Sequence, residues 1–160
     1  ERFRFWFEEE SISAEVYLSV HALKPRVPLD FVRRARAVAG FAEQEASAAL
    51  IAGNKRVSNI LSKLEGDIDS SVNEALLQED AEKALYSALS TLRAEVESKV
   101  EDADYQGALN ALSSLRAPID KFFDEVRVMA DDEAVKANRL AILANLRQQF
   151  IGIADISQLA

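Results

Sequence analysis

Residues 78–101, "QEDAEKALYSALSTLRAEVESKVE", decide the fold class because their apolar side chains recur at the spacing of a helix. The intervals between these side chains are four, three, four and four residues, from Leu85 through Leu89, Leu92 and Val96 to Val100. This spacing places all five side chains on one face of a helix with 3.6 residues per turn. The stretch therefore predicts a long amphipathic helix whose apolar face lies in a core.

The remainder of the chain has the same helical character, with only five Gly and three Pro in 160 residues. Further helices are predicted over residues 13–23, from about residue 30, over 47–64, through Leu109, Leu112 and Leu115, from Pro118, and from residue 131 to about 155. "RFRFWF" at residues 2–7 alternates like a strand but also fits a helix, which we favour because "EEE" follows without a turn signal. The patterns predict one all-α domain, a bundle of six to eight helices.

Two of these helices carry distinct apolar and polar faces. On the helix from residue 30, the apolar arc consists of Phe31, Val32, Ala35, Val38, Ala39 and Ala42, and the arginines face outward. Over residues 47–64, the apolar side consists of Leu50, Val57, Ile60, Leu61 and Leu64. Lys55, Asn59, Ser62 and Lys63 fall on the opposite side, with Arg56 at its edge.

The composition argues against several classes of protein. The chain has no Cys and only one His, His21, so a disulfide framework, a thiolate metal site and a histidine-rich metal site are excluded. The acidic pairs lie at helix ends or in connections, where carboxylates cap and solubilise helices. No run approaches the roughly 20 apolar residues that cross a bilayer. We expect a soluble, unsecreted protein without a catalytic centre of its own.

Charge is distributed unevenly along the chain, whose net charge is −8. Residues 1–63 contain ten Lys or Arg against eight Asp or Glu, a local charge of +2. Residues 64–160 contain nine against nineteen, a local charge of −10. Since binding follows the local field rather than the total charge, residues 1–63 are the first place to look for a polyanion-binding surface.

The cations of this first part form two groups. The first group consists of Lys24, Arg26, Arg33, Arg34 and Arg36, and it ends on the helix predicted from about residue 30. The second group, on the helix predicted over residues 47–64, consists of Lys55, Arg56 and Lys63. The two helices would present one cationic surface if they formed a hairpin. Such a surface suits phosphates, while the amide of Asn59 could read the edge of an unpaired base. Two alternatives stay open: the cations simply solvate helix faces, or the surface docks on an acidic protein partner.

Several stretches resemble a known family. "LRAPIDKFFDEV" at 115–126, "RVMADDEAVKANRLAIL" at 127–143 and "ADISQL" at 154–159 resemble the carboxyl-terminal end of the beta subunit of bacterial-type glycyl-tRNA synthetases. "ERFRFWFEEE", "SAEVYLSV" and "NKRVSNIL" resemble its upstream part in the same order. The resemblance covers essentially the whole chain, and the combination is more specific than any single stretch.

The resemblance implies the all-helical anticodon-binding domain shared with arginyl-tRNA synthetase, which is named for an Asp-Ala-Leu-Arg motif. The matching positions here are Glu133 to Lys136, where Lys136 replaces the arginine of the motif. Arg127 stands where relatives commonly carry an apolar residue. Residues 1–160 would form one domain of a larger subunit, with residues 1–27 as a helical extension.

The function implied by the resemblance is binding of the anticodon arm of glycine tRNA. The full cytoplasmic enzyme of this family joins glycine to its tRNA with ATP and Mg²⁺, in an assembly of two alpha and two beta subunits. No cofactor is expected in this chain. We predict that Arg33, Arg34, Arg36, Lys55, Arg56 and Lys63 hold phosphates and that Asn59 reads a base, whereas Asn138 and Arg139 are equally compatible with helix-end bonding and with RNA contact.

Overall fold

The computed structural model describes residues 12–64, 66 and 68–159. This part of the chain forms seven α-helices: α1 (Ala14–His21), α2 (Pro28–Ala42), α3 (Ser47–Ser62), α4 (Asp80–Glu101), α5 (Tyr105–Leu112), α6 (Arg116–Glu125) and α7 (Glu133–Ile151). Three 3-10 turns lie at Glu74–Leu76, Ser113–Leu115 and Ile156–Gln158. No strand occurs within these ranges, so the predicted all-α helical bundle is confirmed. "RFRFWF" and Trp6 lie outside the described residues.

The long helix α4 forms one side of the core, as its spacing predicts. Leu85, Leu89 and Val96 are buried, while Leu92 and Val100 at the edge of the stripe are half-buried. The helix packs against α5, α6 and α7. Its first turn has a capping box, in which the side chains of Glu79 and Glu82 accept hydrogen bonds from each other's backbone N–H groups. The same Glu82 is fully buried, which the periodicity did not predict.

Helix α7 is buried on most of its circumference, and it ends four residues earlier than predicted. Its first turn is capped by Asp132, whose carboxylate accepts from the N–H groups of Ala134 and Val135. After Ile151 the chain turns, and the N–H groups of Ile153 and Ala154 both donate to the Phe150 carbonyl. This turn buries Ile153 and Ala154 in the core, so packing rather than helix propensity sets the end of α7.

The two N-terminal helices cover the opposite side of the core. Ser13 caps α1, at the start of the predicted helix over residues 13–23, and Pro28 opens α2 two residues before the predicted start. The predicted apolar arc of α2 is partly wrong: Ala42 is exposed and Val32 is half-buried, while Ala37 and Phe41 are buried instead. The physical reason is that α2 packs between α1 and α5, which buries a face rotated from the one chosen by hydrophobicity alone. Assignment of residues 1–27 as an extension stays a prediction.

Aromatic side chains divide between the core and its edge. Phe122 and Phe150 are fully buried. Phe123 is only half-buried. Its ring meets Phe122 edge to face, with 5.7 Å between centroids, so one side is packed and the other faces α3.

Candidate nucleic-acid interface

Four of the seven predicted binding residues lie together, three on α3 and Lys63 directly after its last residue. Lys55, Arg56, Asn59 and Lys63 line one open groove of about 660 Å³. The rest of the groove is apolar, and its other described lining residues are Ala52, Ile60, Leu64 and Met129. Among the described lining residues, three are cationic and none is acidic. The groove therefore combines cationic and apolar side chains with one amide.

The orientation of α3 is set by close packing on its opposite face. Leu50 and Val57 are fully buried, and the helix packs against α6, α7 and the Ile156–Gln158 turn. At Gly53, a β-carbon would lie 3.1 Å from Cγ2 of Ile119, so the glycine permits α3 to approach α6 closely. Because this face is fixed against the core, the face with the cations is held toward solvent.

The arginines of α2 are not part of this groove. Arg33 and Arg36 are exposed on α2, which packs mainly against α1 and α5 rather than along α3. The hairpin that would have placed the cations of both helices on one surface is therefore not formed. A role for Arg33 and Arg36 in phosphate binding stays a prediction, but it would involve a separate contact region.

Arg34 makes its side-chain contacts within the fold, and its role as a phosphate ligand stays a prediction that these contacts do not support. Its Nη1 donates to the carbonyl oxygens of Gly152 and Ile153, each at 2.8 Å. Its Nε donates to Asp30 at 2.8 Å, and its guanidinium lies 4.4 Å from the ring centroid of Tyr105. The guanidinium satisfies carbonyl groups at the end of α7, so a phosphate would have to displace these bonds.

Asp30 joins Arg34 to the buried Tyr105, whose hydroxyl donates a hydrogen bond to the carboxylate. Burial opposes ionisation of Asp30, but hydrogen bonds from Tyr105 and Arg34 outweigh it and lower the pKa of this carboxyl. Burial and the bond to Asp30 raise the pKa of the Tyr105 hydroxyl. The ionised carboxylate therefore stabilises the junction of α2, α5 and the end of α7.

Asp30→Asn should lower the free energy of unfolding near neutral pH by about 1–2 kcal/mol, since hydrogen bonds to a charged group contribute less when partly exposed. The pKa of Asp30 is lower in the folded protein than the ordinary value of 3.8, so the contribution of Asp30 to stability is present above 3.8 and disappears as pH falls through the folded-state pKa. Urea unfolding should be measured near neutral pH and again below the folded-state pKa of Asp30. Between these two pH values, the free energy of unfolding should fall less in the variant than in the wild-type protein. Asp120→Asn, at an exposed carboxylate, is the control; equal acid losses in both variants would contradict the prediction.

Asn138 and Arg139 are both buried and make contacts within the chain. The side chain of Asn138 accepts from the backbone N–H of Asn73 at 2.7 Å and donates to its carbonyl at 3.1 Å. Arg139 pairs with Glu82 at 2.8 Å and donates to the carbonyl of Arg127 at 2.6 Å. Of the two roles left open by the sequence, the structure supports bonding within the fold.

Two residues at the groove were not predicted as functional. Met129, in the connection between α6 and α7, lines the groove and is 48% exposed. Phe123 lies beneath the Arg56 guanidinium, 4.4 Å from the ring centroid. Helical spacing could not identify either one, because Met129 lies outside a helix and the contact of Phe123 comes from another helix. The nearby Arg127 is exposed and pairs with Asp131 at 3.7 Å.

The described residues form neither a metal-binding cluster nor a membrane-spanning helix. No group of three or more His, Cys, Asp or Glu side chains in residues 12–64, 66 and 68–159 is arranged to hold a metal ion. None of the helices formed by these residues is both long and apolar enough to span a membrane. The groove on α3 is thus the cluster of predicted binding residues that the fold brings together.

An all-α bundle with a cationic, partly apolar groove has the surface chemistry of a domain that binds single-stranded RNA. Residues 50–156 match the model of the protein family described as DALR anticodon binding domain, and the chain belongs to this family. The match includes the whole groove and the core helices α4 to α7. The family resemblance of the sequence is thereby confirmed.

Curated relatives are similar over almost the entire chain. The glycine–tRNA ligase beta subunit of Shewanella sp. (strain MR-4) is 52% identical over 158 residues, which is 99% of this chain. The protein of the same name from Aeromonas salmonicida (strain A449) is 53% identical over the same length. The chain spans 23% of the length of each of these relatives.

The four residues that match the name of the family form the first turn of α7. Glu133 and Ala134 are exposed, Val135 is buried, and Lys136 is half-buried. Asp132 caps this turn, and the N–H of Lys136 donates to its carbonyl at 2.9 Å. In this chain the motif therefore starts the central helix, and its buried member, Val135, packs into the core.

Proposed function

We propose that this chain binds the anticodon arm of glycine tRNA as part of a glycine–tRNA ligase beta subunit. The observation that carries the proposal is the groove on α3, which combines Lys55, Arg56 and Lys63 with an amide and apolar walls. Membership of the DALR anticodon binding domain family and the names of the relatives support it. An unpaired anticodon loop offers phosphates and exposed base edges together.

The groove residues divide into two roles under this proposal. The cations hold loop phosphates, which supplies affinity that is independent of sequence. Asn59 is exposed beside them, and its amide offers both a donor and an acceptor to a base edge. Arg33 and Arg36 on α2 remain candidate contacts to phosphates outside the groove, whereas Arg34 stabilises the fold.

The chemistry of glycine attachment is proposed to belong to the complete enzyme. In it, ATP and Mg²⁺ serve the activation of glycine, and the alpha subunit and the rest of the beta subunit supply the catalytic site, in a cytoplasmic assembly of two alpha and two beta subunits. The chain itself would hold tRNA but would not charge it. Its contribution to catalysis is therefore the correct placement of the tRNA.

Binding should be measured for a glycine-tRNA anticodon stem-loop and for the same loop with the anticodon cytosines replaced. Wild-type protein should prefer the native loop. Asn59→Ala should reduce this discrimination about tenfold, because a good contact to a base edge contributes about 1–3 kcal/mol. Ser90→Ala, an exposed substitution on α4 that does not line the groove, should leave discrimination unchanged.

Each other outcome has a distinct meaning. Equal losses on both loops would remove Asn59 as the base-reading residue. Equal wild-type binding to both loops would contradict anticodon reading by this chain. Absence of RNA binding would favour the alternative function, a helical protein-interaction module that docks its cationic face on an acidic protein surface.

A further inference from the structure

Arg56 is held differently from the other cations of the groove. Its guanidinium lies over the ring of Phe123, at 4.4 Å from the centroid. Phe123 is in turn held by its edge-to-face contact with the fully buried Phe122. A cation over an aromatic face is attracted by the ring quadrupole, so this contact restricts the side chain before any ligand binds. Arg56 itself is exposed, which leaves its guanidinium accessible from the groove.

Met129 places an uncovered apolar side chain in the same groove. It is 48% exposed, and the half-buried side chains of Ile60 and Leu64 line the groove with it. The connection that carries Met129 is fixed by two hydrogen bonds: Arg139 to the Arg127 carbonyl at 2.6 Å, and Ala130 N–H to the Val128 carbonyl at 2.9 Å. Its position is therefore set by the core.

We propose that this groove is a pocket for one unpaired nucleobase, stacked on the Arg56 guanidinium and in contact with Met129. The inference rests on the proposed function and identifies the part of the RNA that enters the groove. A phosphate would satisfy the cations but would lie unfavourably against Ile60, Leu64 and Met129. A base fits both features, because its π face stacks on an arginine plane and its body is apolar.

The same features favour a nucleobase over an acidic peptide. A carboxylate would pair with the edge of the Arg56 guanidinium and would gain nothing from the apolar walls. Asn59, beside the walls, can donate to and accept from a base edge, whereas a carboxylate only accepts. Arg56, which was predicted to hold a phosphate, is thus reassigned to base stacking, and Lys55 and Lys63 keep their assignment to the phosphates that flank the base.

Arg56→Lys tests this assignment because it keeps the charge and removes the plane. Affinity for the native anticodon stem-loop should fall about 5- to 50-fold, the range expected for one base–side-chain stack. The dependence of binding on salt should not change, because no phosphate contact is lost. Arg116→Lys is the matched control, since Arg116 is exposed on α6 and does not line the groove.

A set of stem-loops with one abasic nucleotide at a time identifies the bound base. At one loop position, removal of the base should lower the affinity of the wild-type protein by the same factor as Arg56→Lys lowers affinity for the native loop. The Arg56→Lys variant should then bind this abasic loop and the native loop with equal affinity. Met129→Ser, an exposed replacement that needs no refolding of the core, should lower affinity for the native loop and show the same dependence on that position. Circular dichroism checks that both variants are folded.

Two results would overturn the pocket. If the losses caused by Arg56→Lys and by the abasic nucleotide are independent at every loop position, Arg56 contacts phosphate and not a base. The second result is that Arg56→Lys binds the native loop as tightly as the wild-type protein, which itself still prefers the native loop. This result would overturn the pocket but not the proposed function. Failure of the proposed function is distinguishable, since wild-type protein would then bind the native and altered loops equally.

Discussion

Arg139→Met should lower the free energy of unfolding by about 3–5 kcal/mol, because it leaves the Glu82 carboxylate charged and unpaired in the core. The side chains of Glu82 and Arg139 are 0% and 6% exposed, and they are 2.8 Å apart. Methionine has a similar length, so the main change is the loss of the cation and not of packing volume. The effect is large for a single domain whose total stability is about 5–15 kcal/mol.

The ion pair also joins three parts of the fold. Oε1 of Glu82 accepts from the N–H of Glu79 at the start of α4, at 3.0 Å. Arg139 on α7 donates to the Arg127 carbonyl before that helix. Loss of Arg139 therefore also leaves the connection that carries Met129 without one of its bonds, and the groove should loosen together with the core.

A double variant separates the charge from the packing. Oε2 of Glu82 and Nε of Arg139 are buried without a hydrogen-bond partner among the described residues, so the pair does not fully offset its desolvation. Glu82→Leu/Arg139→Met should therefore be at least about 1–2 kcal/mol more stable than Arg139→Met alone, even though the capping box is lost.

Urea unfolding followed by circular dichroism measures these differences. Arg127→Met is the matched control, because the Arg127–Asp131 pair is 72% and 93% exposed and such pairs contribute little. Its change should stay within about 0.5 kcal/mol. A loss below about 1 kcal/mol in Arg139→Met would mean that Glu82 is not held as an unpaired charge after the substitution.

The buried apolar residues of α4 and the first residues of several helices could be predicted from the sequence, because both depend on the local spacing of residue types. The α4 stripe places Leu85, Leu89 and Val96 in the core, and the short polar side chains of Ser13 and Asp132 cap the helices that follow them. The solvent-facing side of α3 was predicted for the same reason, but Ile60 and Leu64, which the wheel assigned to the opposite side, are half-buried and line the groove with Lys55 and Asn59. A helical wheel is sufficient when the partner of a residue is simply the core or the solvent.

The charged residues that hold the bundle together could not be predicted in this way. A wheel places every arginine outward, but Arg34 and Arg139 bond to groups 57 to 119 residues away along the chain. The contact of Phe123 with Arg56 and the exposure of Met129 likewise follow from how α3 and α6 meet. Such partners depend on the assembled fold, which no local pattern contains.

Lys55→Ala/Lys63→Ala should weaken binding of the native stem-loop about 10- to 100-fold at about 50 mM salt, because two charge-assisted phosphate contacts are lost. The slope of log affinity against log salt should become shallower by about 1.5, which corresponds to two fewer released counterions on a mostly single-stranded loop. Both loops should lose affinity by the same factor, because phosphate contacts do not distinguish bases.

Binding isotherms at several salt concentrations between about 50 and 200 mM measure the slope. Lys83→Ala/Lys121→Ala removes two exposed lysines outside the groove and the same amount of net charge. If attraction depended only on total charge, this control would lose as much affinity and slope as the groove variant. A contribution confined to Lys55 and Lys63 would instead explain how a chain with net charge −8 binds a polyanion: the field that RNA meets is that of one helix face.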